Sequence, residues 1–523
     1  MNQTRRTFLK TMGAGSLGLV AATTLLPRLS RAAARKDPRP NILFAMADDQ
    51  SWPHAGAYGC REIQTPAFDR VAREGVLFTN AFCAAPQCSP NRAAILTGRN
   101  IGQLEEAGTH ASNFPKKYQV YPDLLEAAGY TVGFTGKGWG PGNWQYTGWA
   151  RNPAGPEYAG HQVAQPPATG ISHLDYAACF RDFLDQRDPN APFCFWFGGH
   201  EPHRGYEQGS GVRAGKDPAN VTVPGFLPDT EVTRSDLLDY FVEIEWFDQQ
   251  VGQMLALLEQ AGELDHTLVV VTSDNGMPFP RAKANLYEYG THMPLAIRWP
   301  DRVPGGRVVD DLTNSIDFAP TFLAAAGGAI PAQVTGQSLL PTLQSTQDGT
   351  VDPARQYVLT GRERHTHARP DNLGYPARAL RTDRYLYIRN VAPDRWPAGD
   401  PRGSGDPPHY HDIDDGPTKL WMIDHQTDPA VRDLFRLGFG KRPLEELYDI
   451  QQDPDCVHNL AGQYAYREVQ SDCWEQLQHH LRAQLDPRAF GDPIFETYPR
   501  YSHMRDFPGF KTRGAYNLGY SEE

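Results

Sequence analysis

The sequence lacks an excess of positive charge. Its 50 Lys and Arg residues stand against 62 Asp and Glu, which gives a formal net charge of −12. This balance argues against a nonspecific nucleic-acid binder, because such binding depends on basic side chains that neutralise phosphates. If the substrate is a polyanion, a local basic pocket must attract it. No internal repeat is evident, and 523 residues with 40% hydrophobic composition favour a large globular core, usually in more than one domain.

Cysteine is scarce and odd in number. The seven residues are Cys60, Cys83, Cys88, Cys179, Cys194, Cys456 and Cys473. If one of them is chemically converted, six remain, and an oxidising compartment would permit disulfides without requiring them. The pairing cannot be read from the sequence, and buried free thiols are an equal alternative.

Long apolar runs are also missing, except near the N-terminus. There Arg5 and Arg6 precede a small-residue apolar stretch that continues to about Pro27, and three alanines follow at residues 32–34. This pattern is typical of a Tat export signal. We therefore predict a signal peptide over residues 1–34, the Tat export machinery as a partner, and a periplasmic or secreted mature protein without a stable membrane span. A membrane anchor is the alternative, disfavoured because glycines interrupt a stretch that is short for a span.

Short apolar runs alternate with helical patterns after the signal, which predicts an α/β fold with a large, mostly parallel sheet between helices. Four of these runs, at residues 41–47, 131–135, 192–197 and 267–273, end in polar residues. Ligands bind beyond the carboxyl ends of parallel strands, so these four tails should converge. The side chains in these tails that could bind a ligand or take part in catalysis are Asp48, Asp49, Lys137, His200, His203, Asp274 and Asn275.

The tails predict a metal site. Asp48, Asp49, Asp274 and Asn275 offer only oxygen ligands, which suit Ca²⁺ or Mg²⁺ better than Zn²⁺. Two adjacent carboxylates on a turn are costly to crowd without a cation. Taken singly, the Asp pair could be a helix cap and Asp-Asn-Gly a turn. Because the two motifs follow two different strands, we favour a metal site over a helix cap and a turn.

A cysteine and an arginine lie four residues apart in the segment Cys88-Ser89-Pro90-Asn91-Arg92. Pro90 fits the first turn of a helix, where its missing N–H has no partner to lose. A helix start favours an anion, and Arg92 one turn later would hold the charge of that anion. A buried structural thiol beside an ordinary helix cap is the alternative.

These motifs together resemble the sulfatase family of the alkaline phosphatase superfamily. The signature Cys-x-Pro-x-Arg followed by Leu-Thr-Gly matches at residues 88–98, and the Asp-Asp, Gly-Lys, His-x-Pro-His and Asp-Asn-Gly tails agree with it. Within the family, residues 274–287 are most similar to the heparan N-sulfatase (sulfamidase) group. The resemblance implies an alkaline phosphatase-like catalytic domain over residues 39–370. A smaller C-terminal α+β subdomain would follow over residues 371–523, with a long loop near 393–417.

The resemblance also implies a chemistry. A maturation enzyme would oxidise Cys88 to formylglycine, whose hydrate attacks sulfur beside Ca²⁺ or Mg²⁺, so that residue 88 joins the oxygen-bearing metal ligands. Arg92 and Lys137 would neutralise sulfate oxygens, and His203 and Lys283 would protonate the leaving group. The substrate would be a sulfated sugar or glycan, with a heparan or heparin type favoured, cleaved at a sulfate ester or sulfamate. A phosphomonoester or phosphodiester hydrolase on the same scaffold and a noncatalytic glycan-binding relative are the alternatives.

Two positions depart from the family pattern. Asn91 stands where the family usually has Ser, and Trp139 stands where it usually has His. We hypothesise that His110 replaces that histidine as a base or sulfate ligand. A surface loop position is the alternative for His110.

A charged cluster at residues 361–369 follows an apolar run and is predicted to face the same crevice. Such a cluster could bind the carboxylates, sulfates and hydroxyls of a glycan. The predicted substrate-binding residues are His110, His200, Glu363, His365 and Arg369. A solvated, charge-balanced loop is the alternative for the cluster.

Overall fold

The computed structural model describes residues 37–401 and 410–500. The predicted signal peptide over residues 1–34 lies outside the described residues, as do residues 402–409 of the predicted long loop. Among the described residues, no helix combines the length and hydropathy needed to cross a membrane.

A large sheet forms the centre of the chain. Its strands are β1 Asn41–Ala47, β2 Val76–Phe82, β3 Thr131–Gly136, β4 Phe193–Gly198, β5 Thr267–Ser273, β6 His292–Arg298, β7 Arg307–Val309 and β8 Thr313–Asn314. Strands β3, β4, β1 and β5 lie side by side and parallel, β6 runs antiparallel to β5 and β2, and the short β7 and β8 pair with β2 in parallel.

Both faces of this sheet are buried, so its central strands read as continuous apolar runs. Along β1, residues 42, 44 and 46 belong to one hydrophobic core, and residues 43, 45 and 47 belong to the other. Six helices cover the two faces: α1 Pro66–Glu74, α2 Cys88–Thr97, α3 Tyr121–Ala127, α4 Tyr176–Gln186, α6 Glu231–Gln260 and α8 Phe318–Ala325. Helices α2, α3 and α8 contribute to the first core, and α1, α4 and α6 contribute to the second.

A second, antiparallel sheet follows, made of β9 Val358–Arg362, β10 Ala377–Arg381, β11 Tyr385–Asn390 and β12 Glu445–Asp449. Its strand order is β12, β11, β10, β9. The remaining helices are α5 Ser210–Arg213, α7 Glu288–Thr291, α9 Leu340–Gln344, α10 Pro417–Asp424, α11 Arg432–Phe439 and α12 Arg467–Ala483. Helix α12 packs its apolar side on this sheet.

The predicted architecture is confirmed: a mostly parallel sheet between helices, followed by a smaller α+β part. The second sheet begins earlier than the boundary predicted after residue 370. Because β9 is hydrogen-bonded to β10 across five residue pairs, it belongs to the second sheet although it precedes that boundary.

Candidate active site

The carboxyl ends of β3, β4, β1 and β5 bring the four polar tails together. The backbone N–H of Asp48 donates to the carbonyl of Glu201 at 2.9 Å, and that of Asp274 donates to the carbonyl of Ala47 at 3.0 Å. The N–H of Lys137 donates to the last residue of β4 at 2.7 Å. Neighbouring parallel strands end at one edge of a sheet, which explains this convergence.

Helix α2 presents Cys88 to the same place. The helix begins at Cys88, after an extended residue, and all of its residues are buried. Sγ of Cys88 lies 3.2 Å from Oδ1 of Asp48 and 3.9 Å from Oδ1 of Asp49. Burial and the charge of Asp48 hold the thiol pKa well above its usual value. In the cation-free protein an unmodified Cys88 is therefore a protonated, poorly nucleophilic thiol.

Three buried carboxylates crowd around this helix start. Burial raises the pKa of Asp49 and of Asp274 to about 7, and the charge of Asp48 contributes to both shifts. Burial also disfavours the charge of Asp48, but Lys137 and Arg92 hold its pKa well below the usual range. Asp49 has a left-handed backbone with φ of 77°, which is uncommon for a residue other than glycine and is concentrated at functional sites.

The donor set fits a hard cation. Asp48, Asp49, Cys88 and Asp274 each place a ligand atom within 4.8 Å of the others. The Oδ1 atom of Asn275 is buried without a hydrogen-bond partner, while its Nδ2 donates to Asp49 at 2.6 Å. Oxygen donors, raised carboxyl pKa values and an unsatisfied amide oxygen together describe a candidate site for a cation that prefers oxygen ligands.

Buried basic side chains balance these carboxylates. Arg92 donates through Nε to Asp274 at 2.8 Å, and its NH2 atom lies 3.9 Å from Asp48. Lys137 pairs with Asp48. Lys283 donates to Asp49 at 2.7 Å. The cations thus lie around residue 88, where a tetrahedral anion bound beside it would meet positive charge.

Asp414 is a site residue that the sequence analysis missed. Its Oδ2 lies 3.2 Å from Nζ of Lys283. Burial opposes the charge of Lys283, but Asp414 and Asp49 hold its pKa well above the usual value. The only sequence signal was the acidic run at residues 412–415 within the Pro- and Gly-rich loop, and within the part of the chain that the structure describes no strand ends directly before this run to indicate a site.

His203 and His200 follow β4, as the sequence predicted. Nε2 of His203 lies 3.9 Å from Oδ2 of Asp49, and its Nδ1 lies 2.6 Å from the carbonyl of Arg204. Burial lowers the pKa of His203, and it lowers that of His200 to about 4. Both imidazoles are therefore neutral near pH 7 in the cation-free protein.

His110 and His365 form an edge-on pair, with ring centroids 4.5 Å apart. Nδ1 of His110 lies 3.1 Å from the carbonyl of His365. Trp139, at the position of the missing family histidine, donates its indole N–H to the carbonyl of Ser89 at 3.1 Å. All three aromatic side chains are buried and line the same cavity. His110 is therefore a buried residue, and the surface-loop alternative for it is wrong.

The cavity at this strand edge has a volume of about 660 Å³. Polar and charged residues from distant parts of the chain line it: Asp48, Cys88, His110, Lys137, Asn152, Glu157, Ser172, His200, His203, Arg204, Lys283, His365, Thr366 and Asp414. Its size suits a sugar unit, and its charged floor suits an anionic group.

Two predicted substrate-binding residues lie elsewhere. Glu363 accepts from Arg378 at 2.8 Å and from NH2 of Arg488 at 2.6 Å. Arg369 pairs with Asp412 and donates through Nε to the carbonyl of Trp396 at 2.7 Å. Both side chains are buried, and neither is among the described residues that line the cavity. The charged cluster is thus not a solvated loop, and only part of it faces the cavity. Of the predicted substrate-binding residues in the cluster, His365 lines the cavity.

Family models match most of the described chain. The model described as Sulfatase matches residues 40–329, and the model described as N-sulphoglucosamine sulphohydrolase, C-terminal, matches residues 281–424.

Known relatives agree with these matches. The chain is 31% identical over 487 residues to N-sulphoglucosamine sulphohydrolase of Homo sapiens, covering 85% of this chain and 90% of that protein. It is 27% identical over 472 residues to an ulvan-active sulfatase of Formosa agariphila, covering 87% and 83% of the two chains. A protein solved in complex with its substrate D-glucosamine-2-N,6-O-disulfate has the same fold, with a TM-score of 0.62, 21% identity, and coverage of 86% of this chain and 98% of that one.

Proposed function

The chain belongs to the sulfatase family, and we propose that it hydrolyses a sulfate ester or sulfamate of a sulfated sugar, with a heparan- or heparin-type glucosamine as the favoured substrate. The observation that carries the proposal is the position of Cys88, with Sγ 3.2 Å from a buried carboxylate at the floor of a cavity lined by basic and imidazole groups. The names of the relatives, which include N-sulphoglucosamine sulphohydrolase, support the sugar class.

Cys88 is proposed to act as formylglycine. The protonated, buried thiol of the unmodified residue supports this, since it would be a poor nucleophile. The hydrated aldehyde supplies two hydroxyl groups on one carbon, one to attack sulfur and one to release the sulfate afterwards.

A divalent cation, Ca²⁺ or Mg²⁺, is proposed to be held by Asp48, Asp49, Asp274 and Asn275 together with residue 88. Bound there, it would supply a Lewis acid beside the nucleophile. The unsatisfied Oδ1 of Asn275 and the raised pKa values of Asp49 and Asp274 support this ligand set.

Arg92 and Lys137 are proposed to bind the sulfate oxygens. The Arg92 guanidinium is fully buried and anchored by Asp274, so it presents a fixed charge to the transition state at little further entropic cost. Lys137 lines the cavity directly.

Lys283 and His203 are proposed to handle the leaving-group proton. The two carboxylates beside Lys283 keep its ammonium protonated and oriented. The carbonyl of Arg204 accepts the Nδ1–H of His203, which leaves Nε2 free of a proton in the neutral ring. Lys283 is thus the better donor to the leaving atom, and His203 is the better acceptor in the later release of sulfate.

His110, His200 and His365 are proposed to contact the sugar. Burial keeps these imidazoles neutral, since it lowers the pKa of His365 to about 3 and that of His200 to about 4. A neutral imidazole can donate one hydrogen bond to a hydroxyl group and accept another, and without a charge it neither repels nor strongly binds ions.

Maturation and export are proposed to occur in sequence. A formylglycine-generating enzyme would modify Cys88 in the cytoplasm, because Tat substrates cross the membrane folded. The twin arginine at residues 5–6 supports Tat export to the periplasm or beyond.

The test combines mass spectrometry with sulfate release. A peptide spanning Cys88, from protein made in a maturation-competent host, should be about 18 Da lighter than the cysteine form. The same preparation should release sulfate from D-glucosamine N-sulfate or 6-O-sulfate, and Cys88→Ala should abolish the release. Cys473→Ala, which changes a buried cysteine in α12, should retain it.

The alternatives predict other outcomes. Phosphate release from 4-nitrophenyl phosphate faster than sulfate release from 4-nitrophenyl sulfate would favour a phosphohydrolase. An unmodified thiol with sugar binding and no sulfate release would favour a glycan-binding relative.

A further inference from the structure

We propose that His110 is held as a hydrogen-bond acceptor in the cavity and thereby favours substrates that carry a hydroxyl group close to the cleaved sulfate; this deepens the proposed function and rests on it. The observation that carries the proposal is the contact of His110 with a backbone carbonyl. Nδ1 of His110 lies 3.1 Å from the carbonyl oxygen of His365. A carbonyl oxygen can only accept, so Nδ1 carries the proton and Nε2 of the neutral ring keeps a lone pair.

Buried arginines fix the chain segment that presents this carbonyl. Nε of Arg500 donates to the same carbonyl oxygen of His365 at 2.9 Å. One residue earlier, the carbonyl of Arg364 accepts the backbone N–H of His110 at 3.1 Å. The Arg364 guanidinium in turn donates to the two backbone carbonyls of residues 498–499, at 2.6 Å and 2.8 Å. The acceptor that orients the His110 ring is therefore held in place by hydrogen bonds to two distant segments of the chain.

The surroundings of the ring keep it neutral. Burial lowers the pKa of His110 well below its usual value, and the neighbouring His365, Arg500, Lys283 and Lys137 lower it further. An imidazolium would donate from both nitrogens, whereas a neutral ring with its proton on Nδ1 can only accept at Nε2. Sulfate oxygens are acceptors too, so this nitrogen would repel them. Of the two roles hypothesised above for His110, the tautomer thus leaves that of a base and removes that of a sulfate ligand.

The ring belongs to a loop that is attached beside the nucleophile position. The backbone N–H of Ala111 donates to Oγ of Ser89 at 3.0 Å, and Ser89 directly follows Cys88. His110 and Cys88 line the same cavity. A sugar whose sulfate group is bound at residue 88 therefore meets His110 in the same cavity as the bond to be cleaved.

A hydroxyl group is the substrate donor that fits this acceptor. Sugar rings carry hydroxyl groups on carbons close to a sulfated position, and each hydroxyl can donate to Nε2. An ether or a second sulfate at the same place has no hydrogen to donate, so it would leave Nε2 desolvated and without a partner. We therefore expect the site to favour substrates whose hydroxyl group near the cleaved sulfate is unmodified.

The kinetic test uses two aryl sulfates that differ by one hydroxyl group, 2-hydroxyphenyl sulfate and phenyl sulfate, and the matured enzyme. His110→Phe keeps an aromatic ring and removes both nitrogens. It should lower the ratio of kcat/KM on 2-hydroxyphenyl sulfate to kcat/KM on phenyl sulfate at least about fivefold, the loss expected for one hydrogen bond. The ratio cancels any loss that both substrates share, such as the loss of a base. An unchanged ratio in His110→Phe would overturn the proposal.

The matched control is His266→Phe. His266 directly precedes β5, at the end of that strand opposite to the polar tail, and pairs with Asp301 at 2.9 Å. This substitution also replaces a partly or wholly buried histidine by phenylalanine, but it should leave the ratio of the two kcat/KM values unchanged.

A spectroscopic test depends neither on maturation nor on sulfate release. Two-bond proton–nitrogen correlation spectra of protein with ¹⁵N-labelled histidine distinguish protonated from unprotonated ring nitrogens, and the His110 signals are those absent from His110→Gln. At pH 7 we expect a proton on Nδ1 and none on Nε2, whereas a proton on Nε2 or on both nitrogens would overturn the proposal. Failure of the proposed function would look different: the matured wild-type protein would release no sulfate from either aryl sulfate or from D-glucosamine N-sulfate, while the spectra would still decide the tautomer of His110.

Discussion

Acidification should weaken cation binding at the carboxylate cluster. Burial raises the pKa of Asp49 and of Asp274 to about 7, whereas Lys137 and Arg92, acting against burial, keep Asp48 ionised. A divalent cation needs ionised ligands, so binding below pH 7 must expel the protons that Asp49 and Asp274 hold.

The size of the loss in cation affinity follows from the competition between protons and the cation for the same carboxylates. Between pH 8 and pH 6, a carboxyl group with a pKa of about 7 passes from roughly one-tenth to nine-tenths protonated, which costs the competing cation about tenfold in affinity, or about 1.4 kcal/mol. Two such groups together lower the cation affinity by up to about 100-fold.

The same two groups also make the folding stability depend on pH. In the unfolded chain both groups have a pKa near 3.9 and stay ionised throughout this range. The raised folded-state pKa values therefore make the cation-free protein gain up to about 3 kcal/mol as pH falls from 8 to 6, and this gain is lost as pH rises through 7.

Calorimetric titration of metal-stripped protein with Ca²⁺ at pH 8, 7 and 6 measures the effect. The Kd should rise by up to about 100-fold over this range, and Asp49→Asn, which keeps a ligand oxygen but does not titrate, should reduce the rise to about tenfold. Asp248→Asn is the matched control, because burial also raises the pKa of Asp248 to about 7 but this residue lies on α6 and binds the backbone at Ala67 and Phe68. A Kd for Ca²⁺ that stays constant from pH 8 to pH 6 would refute the reasoning.

Three further substitutions separate stability from catalysis. Arg92→Ala should destabilise the fold by about 3–5 kcal/mol in urea unfolding, because it leaves Asp274 buried without the guanidinium that now lies at 2.8 Å. The control is Arg73→Ala, at a side chain that is 68% exposed, which should change the unfolding free energy by no more than about 0.5 kcal/mol. Glu363→Gln should lower the unfolding free energy and leave KM for a sulfated sugar unchanged, because Glu363 neutralises buried arginines. A raised KM with an unchanged unfolding free energy would instead support the original prediction that Glu363 contacts the substrate. His110→Ala should lower kcat on 4-nitrophenyl sulfate by roughly 100-fold if His110 replaces the family histidine, and unchanged turnover would contradict that replacement.

Much of this site was predictable because its residues follow local rules. Asp48, Asp49, Asp274 and Asn275 each come directly after a buried apolar strand, and the carboxyl ends of adjacent parallel strands meet at one edge. Cys88 and Arg92 lie one helical turn apart, so their spacing alone places both at one helix start.

Glu363 and Arg369 show where such rules stop. They follow an apolar strand just as Asp48 does, and the sequence predicted that they face the crevice. The structure instead buries them against Arg488 and Asp412, which come from segments far along the chain. Whether a charged side chain reaches solvent, substrate or another charge depends on which distant segment packs over it, and no periodic pattern records that.

The sequence by itself therefore determined the family, the sheet and the convergence of Asp48, Asp49, Asp274 and Cys88 at one edge of that sheet, because hydrophobic periodicity and short motifs encode them locally. Only the tertiary structure decided that Asp414 pairs with Lys283 and that His110 meets His365 at the cavity wall. These contacts join residues far apart in sequence through loops, and loops carry no hydrophobic repeat from which their packing could be read.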